Sequence, residues 1–256
     1  MKLLKFLAIN AFLGASLFAS EIITIAASPV PHAQILEQIK PDLEQKGYKL
    51  EIKEFTDYVL PNLAVDGGEI DANFFQHTPY LEEFNKNKGT KLVKIAGVHI
   101  EPMAVYSKKF KSIDDLKDGA TIAVPNDPTN ESRALDIIEK KGLVKFKDNA
   151  LKTPLDITDN PKNIKFVELK AAQLPRALDD VDFAIINSNY ALSANLNPAK
   201  DSILIEDGQS PYVNILVVKE GHENDAKIKA LVESIQSQKV KDFINQKYDG
   251  SVLPAF

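Results

Sequence analysis

Cysteine does not occur in the 256 residues. Its absence excludes disulfides, thiolate metal sites, iron–sulfur clusters, a catalytic thiol and a Cys-linked lipid anchor, leaving the chemistry to His, carboxylates, hydroxyls, amides and Arg. The common enzyme signatures are missing too: there is no G-x-S-x-G, no G-x-x-x-x-G-K-[ST], no H-E-x-x-H and no G-x-G-x-x-G. An enzyme is therefore not expected, and no cofactor or metal is assigned. Basic stripes are absent as well; 31 Lys and Arg stand against 36 Asp and Glu, for a net charge of −5. That balance is the wrong sign for neutralising phosphates, so nucleic acid is not an expected partner. What remains, 44% hydrophobic and 26% charged, is the composition of an ordinary folded protein.

The first nineteen residues differ from the rest. Lys2 and Lys5 lead into an apolar and small-residue run from Phe6 to Ala19, interrupted only by Asn10. A basic start, a short apolar middle and a small-residue exit read as a secretory signal peptide, residues 1–19. The run is short for crossing a bilayer, which takes roughly 20 apolar residues. Removing it takes two lysines and no acid, which moves the net charge from −5 to −7. A soluble acidic protein outside the cytoplasm is expected.

Beyond residue 20 strand and helix signals alternate. Strands are predicted over Ile22–Ala27, Tyr48–Glu54, Ile70–Phe74, Lys91–Ala96 and Ala104–Tyr106, with helices from Pro31 through Ile39, Asp57–Val65 and Tyr80–Lys88, the last stopped by Gly89. The pattern then restarts: strand Thr121–Val124, helix Pro128–Lys140, strand Ile164–Leu169, a helix around Leu174 and strand Phe183–Ile186. Strands over Ile203–Ile205 and Val213–Val218 and two closing helices, Asp225–Gln236 and Val240–Gln246, complete it. The restart predicts an α/β protein of two lobes with a ligand cleft between them. Lobe 1 would take residues 20–106 and the return segment 207–256, and lobe 2 residues 107–206.

Three clusters are rich enough in polar groups to bind something. In Pro125–Arg133, a strand-to-helix turn, Asp127 suits the N-cap and Pro128 the first helical position. Arg133, one turn on, leans back toward the helix start, where its guanidinium could fork a carboxylate through two parallel bonds. The same residue could instead be a surface Arg paired with Glu131 or Asp136. In Asp71–Tyr80 a strand ends in Phe74, Phe75, His77 and Tyr80; alternation sends the two Phe rings to opposite faces. One can serve the core, while the other, with Tyr58, His77 and Tyr80, walls an apolar pocket. Equally, both could be core, with His77 only capping a helix. The third cluster is amides, Asn187 and Asn189 after an apolar strand and Asn214 within one, able to bond an ammonium or a carboxylate, or merely to serve turns.

Read together, Ala27–His32, Asp57–Asn62, Asp71–Tyr80, Glu101–Lys109, Pro125–Arg133, Gln173–Asp180, Ile186–Tyr190 and Ser210–Asn214 resemble, in order, the methionine-binding periplasmic proteins of the NLPA lipoprotein family. The resemblance spans nearly the whole chain after the signal peptide. It implies a two-lobed periplasmic binding protein fold of type II, and capture of methionine or a related amino acid or dipeptide for an inner-membrane ABC transporter permease. It further implies that Arg133 holds the ligand carboxylate, that Asn187 and Asn214 bond its polar end, and that Tyr58, Phe75, His77 and Tyr80 line its side chain. Asn189 is a weaker match. Many members carry a lipobox Cys at the cleavage site, and Leu17–Ser20 offers none. A monomer diffusing in the periplasm without a lipid anchor is therefore expected. Two alternatives use the same residues: a metal-capturing protein built on His77 and carboxylates, or an extracytoplasmic hydrolase.

Overall fold

The computed structural model describes residues 20–207 and 211–256, so the signal peptide read over residues 1–19 lies outside the described residues. In chain order the first lobe runs β1 (Glu21–Ala27), α1 (Gln34–Gln45), β2 (Tyr48–Glu54), α2 (Leu60–Asp66), β3 (Ala72–His77), α3 (Thr78–Lys88) and β4 (Leu92–Ile100). The chain then crosses to β5 (Ala104–Tyr106), β6 (Thr121–Pro125), α4 (Pro128–Lys140), a ribbon of β7 (Lys145–Phe146) and β8 (Ile157–Asp159), β9 (Lys165–Leu169), α5 (Leu174–Ala177), β10 (Phe183–Ile186), α6 (Ser188–Ser193), α7 (Pro198–Asp201) and β11 (Leu204–Ile205). It returns through β12 (Val213–Lys219), α8 (Ala226–Ile235), α9 (Gln238–Tyr248) and β13 (Leu253–Pro254).

Beside the β7–β8 ribbon two large sheets result, ordered β13-β4-β12-β3-β1-β2 and β11-β5-β10-β6-β9. The expected two-lobed α/β architecture is what the chain adopts. Both sheets share one plan: parallel neighbours (β2-β1-β3 and β9-β6-β10) followed by an antiparallel strand that arrives from the other lobe. In the first sheet that strand is β12, and in the second it is β5. Ala104–Tyr106, which the sequence reading put at the end of lobe 1, thus pairs with β10 and β11 in the second sheet. Consecutive residues carry no mark of which sheet they join, and the crossing lies at Glu101–Met103 instead.

Helical spacing explains how the first sheet is covered. Ile35, Leu36, Ile39 and Leu43 of α1, Ile228, Leu231 and Ile235 of α8, and Val240 and Ile244 of α9 recur every three or four residues and are all buried in one cluster with Ile23, Ile25, Phe74 and Leu216. In the second lobe Leu135 and Ile138 of α4 pack on one face with Ile122 and Phe183, while Leu174 and Leu178 cover the other. Strands covered on both faces read as continuous apolar runs, as in β10, Phe-Ala-Ile-Ile, buried throughout. Among the described residues no helix is long and apolar enough to cross a membrane.

Candidate functional site

In open α/β sheets polar loops gather beyond the carboxyl ends of the parallel strands. Here three such ends converge between the lobes: β3 ends at His77, β6 leads into α4, and β10 leads into Asn187. They surround a small cavity, about 20 Å³ as measured by the centres of water-sized spheres, lined by Tyr58, Phe75, Gln76, His77, Tyr80, Glu101, Asn130, Arg133, Asn187, Ser188, Asn189 and Asn214. All seven residues to which the resemblance gave a ligand role therefore line one cavity.

One wall is aromatic. Ring centroids lie 5.9 Å apart for Tyr58 and Phe75, 5.8 Å for Tyr58 and Tyr80, and 6.0 Å for Phe75 and Tyr80. Phe74 faces the lobe core while Phe75 joins this cluster, the division that strand alternation requires. The Tyr80 hydroxyl donates to the Tyr58 carbonyl at 2.7 Å, and the Tyr58 hydroxyl donates across the cleft to Asn189 Oδ1 at 2.6 Å. Burial pushes both phenols up, so they stay protonated donors. Behind Gln76, Asn62 and Asn73 close a buried carboxamide network, with Gln76 Nε2 donating to Asn62 Oδ1 at 2.6 Å and Asn73 Nδ2 to the same oxygen at 2.9 Å.

At the other end, hydrogen bonds fix which way the amides face. His77 caps α3: its Nδ1 accepts from the Tyr80 backbone N–H at 3.2 Å. Nε2 must then carry the proton, and it donates to Asn130 Oδ1 at 3.2 Å. That oxygen also accepts from Asn187 Nδ2 at 2.8 Å, while Asn130 Nδ2 donates to Asp127 at 2.8 Å. Asn187 Oδ1 is left buried without a partner, a bare acceptor. Burial and the nearby Arg133 charge push His77 down to about 3, so the ring is neutral in this chain of bonds. His77 thus caps a helix and walls the cavity, the two roles weighed from sequence.

Arg133 is only 3% exposed. Neither Glu131 nor Asp136, the surface partners considered from sequence, pairs with it. Its Nε donates to Glu206 at 3.1 and 3.2 Å, its Nη2 bonds Glu206 as well and reaches the Glu101 carbonyl at 2.8 Å, and its guanidinium lies 4.2 Å from the Tyr212 ring centroid. Glu101 and Glu206 stand on the two crossings between lobes, so the guanidinium is braced against both. No hydrogen bond to a described residue involves Nη1.

Sequence reasoning missed Glu101, Asn130, Gln76 and Ser188. Glu101 is a carboxylate 6% exposed on the cavity wall. Burial raises it, against the opposing pull of His32, Arg133 and the Asn189 backbone N–H. His32 and His99, far apart in the sequence, meet with ring centroids 4.9 Å apart, and Oε1 of Glu101 lies 2.7 Å from His99 Nε2 and 3.3 Å from His32 Nε2. The one available signal was the polar pair His99 and Glu101 interrupting apolar residues at the end of β4.

A family model described as NlpA lipoprotein matches residues 23–256. The chain belongs to the NlpA lipoprotein family. It is 49% identical over 214 residues, 82% of this chain and 79% of the other, to the D-methionine-binding lipoprotein MetQ of Salmonella typhi. Among solved structures it is similar to a nutrient binding protein from Burkholderia cenocepacia bound to methionine, with TM-score 0.89 and 45% identity over 91% of this chain and all of that one. It is also similar to an ABC transporter periplasmic substrate-binding protein from Coxiella burnetii, with TM-score 0.87 and 42% identity, again over 91% of this chain and all of that one.

Two sequence expectations change with this result. The metal-capturing alternative finds no support in these relatives, and the one cluster of three candidate metal-binding side chains among the described residues, His32, His99 and Glu101, does not include His77. The expectation of a periplasmic form without a lipid anchor is corrected, since the family and its Salmonella typhi member are described as lipoproteins.

Proposed function

We propose that the protein is an extracytoplasmic solute-binding protein that captures methionine, non-enzymatically, and presents it to an ABC importer. The observation that carries this reading is the division of one cavity into an aromatic end and an end with both donors and acceptors. Asn187, with its Oδ1 unpartnered, and Glu101 both line the cavity and would supply the acceptors for the α-ammonium. Arg133, through Nη1, and Asn214 would take the carboxylate, with the thioether chain among Tyr58, Phe75, His77 and Tyr80.

Magnitudes say why both ends are needed. Burying a methionine side chain contributes roughly 1.5–3 kcal/mol, and sulfur against a ring about 0.3–1.5. A micromolar complex requires about 8 kcal/mol, so the charged head has to contribute as well. The protein is proposed to act as a single copy, its two lobes supplying every lining residue. Calorimetry on ligand-stripped protein with L-methionine, D-methionine and Met-containing dipeptides tests the reading: stoichiometric heat with at least one is expected, and no heat with any would overturn it.

A further inference from the structure

Below the cavity floor lies a buried polar cluster that touches no solvent and that the binding reading leaves unused. His32 and His99 are both fully buried, their rings packed edge-on against Phe74 with centroids at 4.6 and 5.2 Å. Two cavity-lining groups reach down to them. Glu101 Oε1 meets both Nε2 atoms, and Asn214 Oδ1 lies 3.0 Å from His32 Nε2. The Nδ1 atoms of both rings are buried without a partner.

The proton positions follow from these contacts. An ionised Glu101 Oε1 accepts from His99 Nε2 and would repel a lone pair on the nearby His32 Nε2, so each Nε2 carries a hydrogen and each Nδ1 a bare lone pair. This agrees with the unpartnered Nδ1 atoms, because an N–H buried without an acceptor would be the costlier arrangement. His32 Nε2–H then donates to the Asn214 side chain at 3.0 Å, with Glu101 Oε1 3.3 Å from the same nitrogen as a close charged neighbour. Asn214 must meet it with oxygen, which leaves the NH₂ as the group available to the cavity. No hydrogen bond to a described residue takes up that NH₂. With Asn187 fixed as an acceptor through Asn130, whose oxygen also meets His77 Nε2–H, the two asparagines present opposite polarities.

We infer that His32 is a positioning residue: through the hydrogen its Nε2 donates to Asn214, beside the Glu101 carboxylate, it locks the Asn214 amide with its donors toward the ligand. The cavity thereby reads a carboxylate at Asn214 and an ammonium at Asn187 and Glu101, and rejects the reversed placement of a zwitterion's head. This inference rests on the amino-acid-binding reading above for its ligand. Its geometric core, the Nε2–H tautomer of His32, does not.

The test has one arm for each part. Nitrogen-15 NMR of the ligand-free full chain, with the His32 resonances assigned by their loss in His32→Gln, should show His32 neutral and protonated on Nε2 at neutral pH. A ring protonated on Nδ1 overturns the inference whatever the ligand proves to be. In the second arm L-methionine affinity is measured calorimetrically. Loss of a donor to a buried acceptor predicts about a tenfold weakening in His32→Leu, while His32→Gln, which can place an N–H near the same point, should stay within about threefold of wild type. If His32 acts through Asn214, the His32→Leu loss should shrink to less than about twofold in an Asn214→Ala background. Equal losses in the Leu and Gln variants, or a loss that simply adds to that of Asn214→Ala, would mean that His32 only fills space. A wild-type chain that shows the Nε2–H tautomer yet binds no methionine would overturn the ligand reading and leave the His32 geometry standing.

Discussion

Replacing Tyr58 with Phe removes a single oxygen, the one whose hydrogen crosses the cleft to Asn189 Oδ1 at 2.6 Å. The ring stays, and with it the contacts to Phe75, Tyr80 and Tyr190, whose centroids lie 5.9, 5.8 and 5.0 Å away. Packing against the ligand chain is therefore kept while one link between lobes is lost. A hydrogen bond contributes about 0.5–1.5 kcal/mol net, and a buried acceptor left unpaired costs about 1–3. A loss of about 1–2 kcal/mol is expected, roughly five- to thirty-fold in Kd. Since the bond exists only while the lobes are together, the loss belongs in the dissociation rate, with association within about threefold of wild type. Stopped-flow binding of methionine, followed by competition, measures both rates. An unchanged Kd, or a loss carried by slower association, would refute the idea that this hydroxyl latches the lobes.

Three further outcomes concern stability. Glu206→Ala leaves the Arg133 charge buried and should lower the unfolding free energy by about 3–5 kcal/mol, whereas Arg133→Met combined with Glu206→Leu should recover most of it in urea titrations; equal instability of single and double variants would contradict the pairing argument. Burial, reinforced by neighbouring Glu168, pushes Glu131 from 4.5 up to about 8. The folded carboxyl keeps its proton where the unfolded one has lost it, so its stabilising contribution is full below pH 4.5 and is lost as pH rises to 8. Glu131→Gln should melt higher than wild type at pH 8–9 and close to it at pH 5; a pH-independent difference would reject the assignment. Burial pushes His32 to about 4 and His77 and His99 to about 3, so the unfolded chain takes up protons below pH 6.5 that the folded one refuses. Melting temperature should fall from pH 6.5 toward 4, and a flat profile across that window would show these rings to be solvated.

What could be read from sequence was what local chemistry decides. Asp127 and Pro128 mark the start of α4, and Asp127 does accept from Asn130 N–H at 3.1 Å. Gly89 ends α3 because its φ of 70° is open to glycine without strain. The cavity residues were found because each lies near a strand end in a motif long enough to resemble a family. The groups that were missed act over distance. Arg133 and Glu206 lie 73 positions apart, Asn130 and Asn187 57, and neither pairing leaves a trace in local periodicity. The β7–β8 ribbon, of two and three residues, was too short to show an alternation.

The strand plan also dictates an order of assembly. Every strand of the second sheet lies between residues 104 and 205 and is complete before β12 has been translated. The first sheet must wait, because β12 wedges between β3 and β4 and hydrogen-bonds to both. A nascent chain stopped short of residue 213 thus carries one finished lobe and one split open along its middle. Those unsatisfied strand edges are where a holding chaperone would have most to shield.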